Sequence, residues 1–127
     1  MKAYSTNNTA ANNKWALANY EQWFEQRKEM LPDYESKQPM EVLLSDDPKE
    51  IGHSLSLYVK ETRKVDGNEN TPKTLYLLLA GLQRHMRLQK GRASAINIFN
   101  DPRLEAFHNV CDHEFRRLHQ KGIGAEA

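Results

Sequence analysis

The sequence predicts an all-α fold, a bundle of four to five helices, on three observations. Apolar residues recur at spacings of three and four in four separate stretches. Asp47-Pro48, Thr71-Pro72 and Asp101-Pro102 each pair a capping side chain with a proline suited to the first helical position. Apart from the short stretch after Gly91, no segment invites reading as a strand.

Residues 1–12, rich in Asn, Thr and Ser, read as a flexible polar arm, or as a cap ending near Asn12 or Asn13. The helical domain is expected over 13–124, and 125–127 as a tail. The first helix is expected from Lys14 to about Met30. It buries Ala16, Tyr20, Trp23 and Phe24, and both tryptophans, Trp15 and Trp23, are expected as core anchors. Pro32 ends it, and a loop leads to a short helical turn at Met40–Leu44. Ser45-Asp46-Asp47-Pro48 starts a helix running to about Lys64, with carboxylates near its positive N-terminus and Ile51, Leu55, Tyr58 and Val59 inside. Gly52 weakens it locally. Val65–Asn70, marked by Asp66-Gly67, is a turn.

The central helix follows, from Pro72 to about Lys90. Leu75, Leu78, Leu79, Leu82 and Met86 form its apolar stripe. Beyond Gly91, Ile96, Ile98 and Phe99 either tuck a loop into the core or form a short extended piece. The last helix runs from Pro102 to about Lys121. It buries Leu104, Phe107, Val110 or Cys111, Phe115 and Leu118, and Gly122 and Gly124 end it.

A chain of 127 residues with 39% hydrophobic content, 28% charged residues and a mean hydropathy of −0.82 reads as one soluble domain. No apolar run approaches the ~20 residues of a membrane helix, and the polar N-terminus is no secretory signal. A single cysteine, Cys111, forms no internal disulfide and suits a reducing compartment; a nuclear location is expected.

The net charge of +1 hides an uneven distribution. From Asn70 to Asn100 the chain carries five Lys or Arg and no acid, leaving 13 basic against 17 acidic groups elsewhere. A helix with one buried stripe and an acid-free basic region is suited to a polyanion. Lys73, Arg84, Arg87, Lys90 and Arg92 are the candidate phosphate contacts, with Thr71, Thr74 and the helix N-terminal amides adding hydrogen bonds. Gln83 and Arg84 are placed to read base edges if this face enters a major groove.

The competing chemistries are poorly supplied. His113-Glu114-Phe115-Arg116 matches a His-x-x-Arg pattern, but the last tyrosine is Tyr76, so no nucleophile follows it. His108, Cys111, His113 and His119 do not converge at helical spacing to close a tetrahedron, so no metal is expected. No cofactor fingerprint or nucleophile elbow occurs, and neither an enzyme nor a small-molecule substrate is expected of this chain alone.

Several spaced motifs carry a family resemblance. Pro72, Thr74, Leu75 and Tyr76 lead into Gly81-Leu82-Gln83-Arg84; Asp101-Pro102-Arg103 follows, then Arg117, Leu118 and Lys121 before Gly122 and Gly124. Trp15, Ala16, Trp23 and Phe24 fit the opening. The sequence resembles the domain shared by crypton-type tyrosine recombinases and cellular relatives that include MYM-type zinc-finger proteins and glutamine-rich protein 1. The resemblance implies a SAM-like bundle similar to the N-terminal core-binding domain, which clamps duplex DNA ahead of a catalytic domain. It implies double-stranded DNA as partner, together with that catalytic domain or other recombinase protomers. Arg63, Lys64, Arg116 and Arg117 are expected to join the DNA face. The alternative is a domesticated protein-interaction domain of a nuclear transcription or chromatin cofactor, docking a partner through Tyr4, Trp15 or Tyr34.

Overall fold

Helix α1 (Lys2–Lys28) and helix α4 (Pro72–Lys90) form one side of the bundle, and α3 (Pro48–Glu61) and α5 (Glu105–Gln120) the other. The short α2 (Pro39–Leu43) bridges α1 and α3, and a 3-10 turn (Pro102–Leu104) leads into α5. The structure, a computed structural model, describes the backbone of residues 2–28, 37–64 and 67–122, and the side chains of 11–27, 37–64 and 67–122. Among the described residues there is no strand, only an isolated bridge between Arg63 and Glu69. The all-α bundle expected from the sequence is the observed architecture.

The sequence places the helix starts correctly where a cap and a proline coincide. Asp47 accepts the Lys49 amide at 2.9 Å ahead of Pro48, and Thr71 accepts the Thr74 amide at 3.1 Å ahead of Pro72. Asp101 accepts the Arg103 amide at 2.9 Å ahead of Pro102. Each bond satisfies a donor that the first helical turn would otherwise leave free.

Boundaries without that signal move. α1 starts at Lys2, where an arm was expected through residue 12. Asn and Thr are weak helix formers rather than breakers, and Asn12, at the end of this segment, donates its Nδ2 to the Leu77 carbonyl of α4 at 3.4 Å. α3 ends at Glu61, short of Lys64, because Thr62 turns to extended geometry and its hydroxyl donates to Asn19 Oδ1 at 3.0 Å. The expected loop start around Pro32, the Val65-Asp66 part of the turn and Gly124 lie outside the described residues.

The core joins all the helices. The stripe Leu75, Leu78, Leu79, Leu82 and Met86 is buried, as are Tyr20, Trp23, Phe24 and Tyr58. Tyr58 stands edge-on to both Tyr20 and Trp23, with ring centroids 5.5 and 5.4 Å apart, an arrangement that adds to area burial. The polar atoms of this cluster are paired. Tyr20 and Ser54 share a hydrogen bond of 2.9 Å, and Trp23 Nε1 donates to Glu61 at 2.8 Å. Trp15 departs from expectation: it is 42% exposed, one position from the buried Ala16 stripe. Gly52 is also more than a weak point. A Cβ there would meet Leu104 Cδ2 at 3.2 Å, so the missing side chain lets the 3-10 turn seat against α3.

Candidate nucleic-acid interface

The start of α4 is committed to its own cap. The Thr71 hydroxyl accepts the Thr74 amide and donates to the Thr74 hydroxyl at 3.0 Å. Both threonines expected to bind phosphate therefore hold the helix end, and Lys73 in the first turn is the exposed cation there.

The Gly81–Arg84 stretch is mostly structural. Gly81 lies against Ala16 of α1, so that a Cβ on it would come within 2.6 Å of the Ala16 Cβ. Gln83 is 2% exposed; its Nε2 donates to the Ile96 carbonyl at 2.9 Å and its Oε1 accepts the Ile98 amide at 2.6 Å. This corrects its assignment to base readout, because the amide is spent holding the loop after α4 and cannot reach a groove. Arg84 Nε donates to Asn13 Oδ1 at 2.8 Å, which fixes the start of its guanidinium on the α1 side.

At the other end of α4, Lys90 is also occupied. Its Nζ donates to the Leu44 carbonyl at 2.7 Å and pairs with Asp46, so it ties the α2–α3 connection to the helix end. Arg84, Arg87 and Arg92 remain, and with Leu88 and Asn13 they line an open recess of about 280 Å³. Gly91, at φ 86°, ends the helix and swings Arg92 beside the last turn. Of the eight expected contacts, three therefore converge. Lys73 stands on the same outer face, eleven residues or about 16 Å from Arg84 along the axis.

The cations expected to extend this face are largely neutralised internally. Arg117 pairs with Glu69 at 2.6 Å and Glu114 at 2.9 Å, Arg116 with Asp112 at 2.9 Å, and Arg63 approaches Glu69 at 3.7 Å. Lys64 is exposed. Glu69, gripped by Arg117 and then Lys121, has its carboxyl pulled down to about 2.

A second feature was not foreseen. Tyr76 is 53% exposed and Phe99 39% exposed, and their rings lie 5.4 Å apart at 43°. Behind them an apolar recess of about 310 Å³ runs between α4 and α5, lined by Leu79, Ile98, Phe107 and Phe115 among others. Of the two expectations for this stretch, a loop tucking Ile96, Ile98 and Phe99 into the core or a short extended piece, no strand forms among the described residues and only Ile96 and Ile98 are buried. The available signal was Tyr76, which sits one turn after Lys73 and outside the leucine stripe.

The histidine and cysteine groups face other tasks. A ring nitrogen of His108 bonds the Ile98 carbonyl at 2.9 Å, and burial pushes the Cys111 thiol up to about 12, keeping it protonated. Among the described residues no group of three His, Cys, Asp or Glu is placed to hold a metal. The His113–Arg116 pattern is taken up by the ion pairs of Glu114 and Arg116.

A family model described as the QRICH1 domain matches residues 5–118, a span that includes α4, the loop after it and nearly all of α5. No curated protein and no solved structure matches the chain.

Proposed function

The chain belongs to the QRICH1 domain family, and from that premise we propose that it is a duplex DNA-binding module that grips the phosphate backbone with the outer face of α4. The carrying observation is the convergence of Arg84, Arg87 and Arg92 on one recess, in a segment with no acid from Asn70 to Asn100. Guanidinium groups bind phosphate through paired donors. Each neutralised phosphate releases condensed counterions, so affinity falls steeply with salt. Because Gln83 is withdrawn into the core, the module positions DNA and leaves sequence largely unread. In a crypton-like recombinase it would be the nuclear core-binding half, holding duplex for a catalytic partner or for neighbouring protomers.

Fluorescence anisotropy of the chain with a labelled random duplex tests this. Four contacts, from Lys73, Arg84, Arg87 and Arg92, give a log–log salt slope of about −3.6, and each alanine substitution flattens it by about 0.9. Binding that ignores salt, or that survives the combined Arg84→Ala, Arg87→Ala and Arg92→Ala change, rules the reading out.

A second reading, a protein-interaction domain of a nuclear cofactor, draws support from Trp15, an exposed tryptophan beside the α1–α4 crossing. The side chains of Tyr4 and Tyr34, named with it, lie outside the described residues. A nuclear-extract pull-down that depends on Trp15 and not on the arginines would favour this reading.

A further inference from the structure

We infer that the Tyr76–Phe99 pair is a stacking seat for an unpaired nucleobase beside the phosphate-binding face, so that nucleic acid held on α4 gains affinity where a base is unpaired or turned out of the duplex. The inference rests on the polyanion reading of α4 and adds the ligand's conformation to it.

The first support is exposure. Large aromatic rings normally contribute by being buried, and the aromatics of the core, Tyr20, Trp23, Phe24, Tyr58 and Phe107, are. Tyr76 and Phe99 instead present ring surface to solvent at the mouth of the apolar recess. The recess, about 310 Å³ and open on one side, has room for one flat ring system between α4 and α5.

The second support is charge. Tyr76, Leu79, Ile98 and Phe99 all come from the acid-free segment that carries Lys73, Arg84, Arg87 and Arg92. Lys73 precedes Tyr76 by one helical turn, and Arg87 follows it on the same side by about 16 Å. A ligand that meets this surface needs anionic groups along its length and flat apolar groups between them. A single strand has both, because every base offers a π-face and every linkage a charge. One carboxylate, Asp112, lines the recess itself and pairs with Arg116 at 2.9 Å, and Asp101 pairs with Arg103 at 2.8 Å. They therefore add little repulsion toward a strand.

In a paired duplex the bases are stacked on one another and unavailable. The rings would then be reached only by a nucleotide that is already single-stranded or turned out of the helix, at a cost of unstacking. Stacking on one aromatic side chain is worth about 5- to 150-fold in affinity per base.

The experiment is fluorescence anisotropy of the full 127-residue chain with three probes: a labelled oligothymidine strand, the same strand with abasic positions, and a hairpin duplex. The expected result is tighter binding of the oligothymidine than of the abasic strand by about tenfold or more. Tyr76→Ala and Phe99→Ala each remove that advantage and leave duplex affinity unchanged, while Tyr76→Phe, which keeps the ring, retains it. The probe comparison uses the wild-type chain, so it stands whether or not a variant folds. Equal affinity for the two strands, with salt-dependent duplex binding intact, overturns the stacking seat and leaves the α4 reading standing. Loss of salt-dependent binding to all three probes overturns both. A fourth probe, labelled polyglutamate, bound in a Tyr76-dependent way with no strand binding, assigns the recess to an acidic peptide and also overturns the inference.

Discussion

Gly81 and Ala16 bring α4 and α1 together so closely that a Cβ on the glycine would lie 2.6 Å from that of the alanine. The contact sets more than packing. It places Asn12 on the Leu77 carbonyl and Asn13 on Arg84, so the direction of one arginine in the basic recess depends on a helix crossing.

Gly81→Ala should therefore destabilise the chain by about 1–3 kcal/mol, the usual cost of overpacking. The substitution gains about 1 kcal/mol of helix propensity, but the contact is with a Cβ on a facing helix, which cannot swing aside. Ala16→Gly in the same chain should recover part of the loss. Urea denaturation measures both, and a Gly81→Ala chain as stable as the wild type would show that the crossing is looser than this geometry.

Gln83→Met keeps the volume of the side chain and removes its two hydrogen bonds. It leaves the Ile98 amide and the Ile96 carbonyl without their partners, and each buried unpaired group costs about 1–3 kcal/mol. A loss of about 2–4 kcal/mol is expected, with faster hydrogen exchange at the Ile98 amide. Since Gln83 touches no ligand, the salt slope of DNA binding should not change. Unaltered stability, or a changed slope, would contradict its role as a loop clamp.

Glu69 links the loop before α4 to the end of α5 through Arg117 and Lys121, and to the segment just after α3 through Arg63. Its carboxyl is lowered from 4.5 to about 2, first by the Arg117 hydrogen bond and next by that of Lys121. A depressed carboxyl contributes stability that is complete above about pH 4.5 and is lost as pH falls through about 2. Glu69→Gln should accordingly lower the thermal midpoint at neutral pH and narrow its gap to the wild type on acidification across that window. A gap that stays constant between pH 7 and the acid end would exclude the carboxylate as the source.

The helix starts were legible because their physics is local. A capping oxygen and a proline act within one turn, and Asp47, Thr71 and Asp101 all behave as their sequence context requires. The leucine stripe of α4 was legible for the same reason, since its period alone defines one buried face. The candidate site was legible in part. Lys73, Arg84, Arg87 and Arg92 are on the expected outer surface, whereas Thr71, Thr74, Gln83 and Lys90 serve the protein's own structure. A polar side chain in a sequence does not reveal whether its partner is a ligand or a backbone amide thirteen to fifteen residues away.

By itself the amino-acid sequence determined an all-α chain, the bounds of α4 and a positive segment free of acids, because periodicity, capping and charge balance depend on neighbours along the chain. Only the tertiary structure decided which cations stay free, that Tyr76 and Phe99 meet at the surface, and that glycines at 52 and 81 are packing notches. These depend on atoms far apart in sequence and a few ångströms apart in space, where desolvation and close contact set the energy.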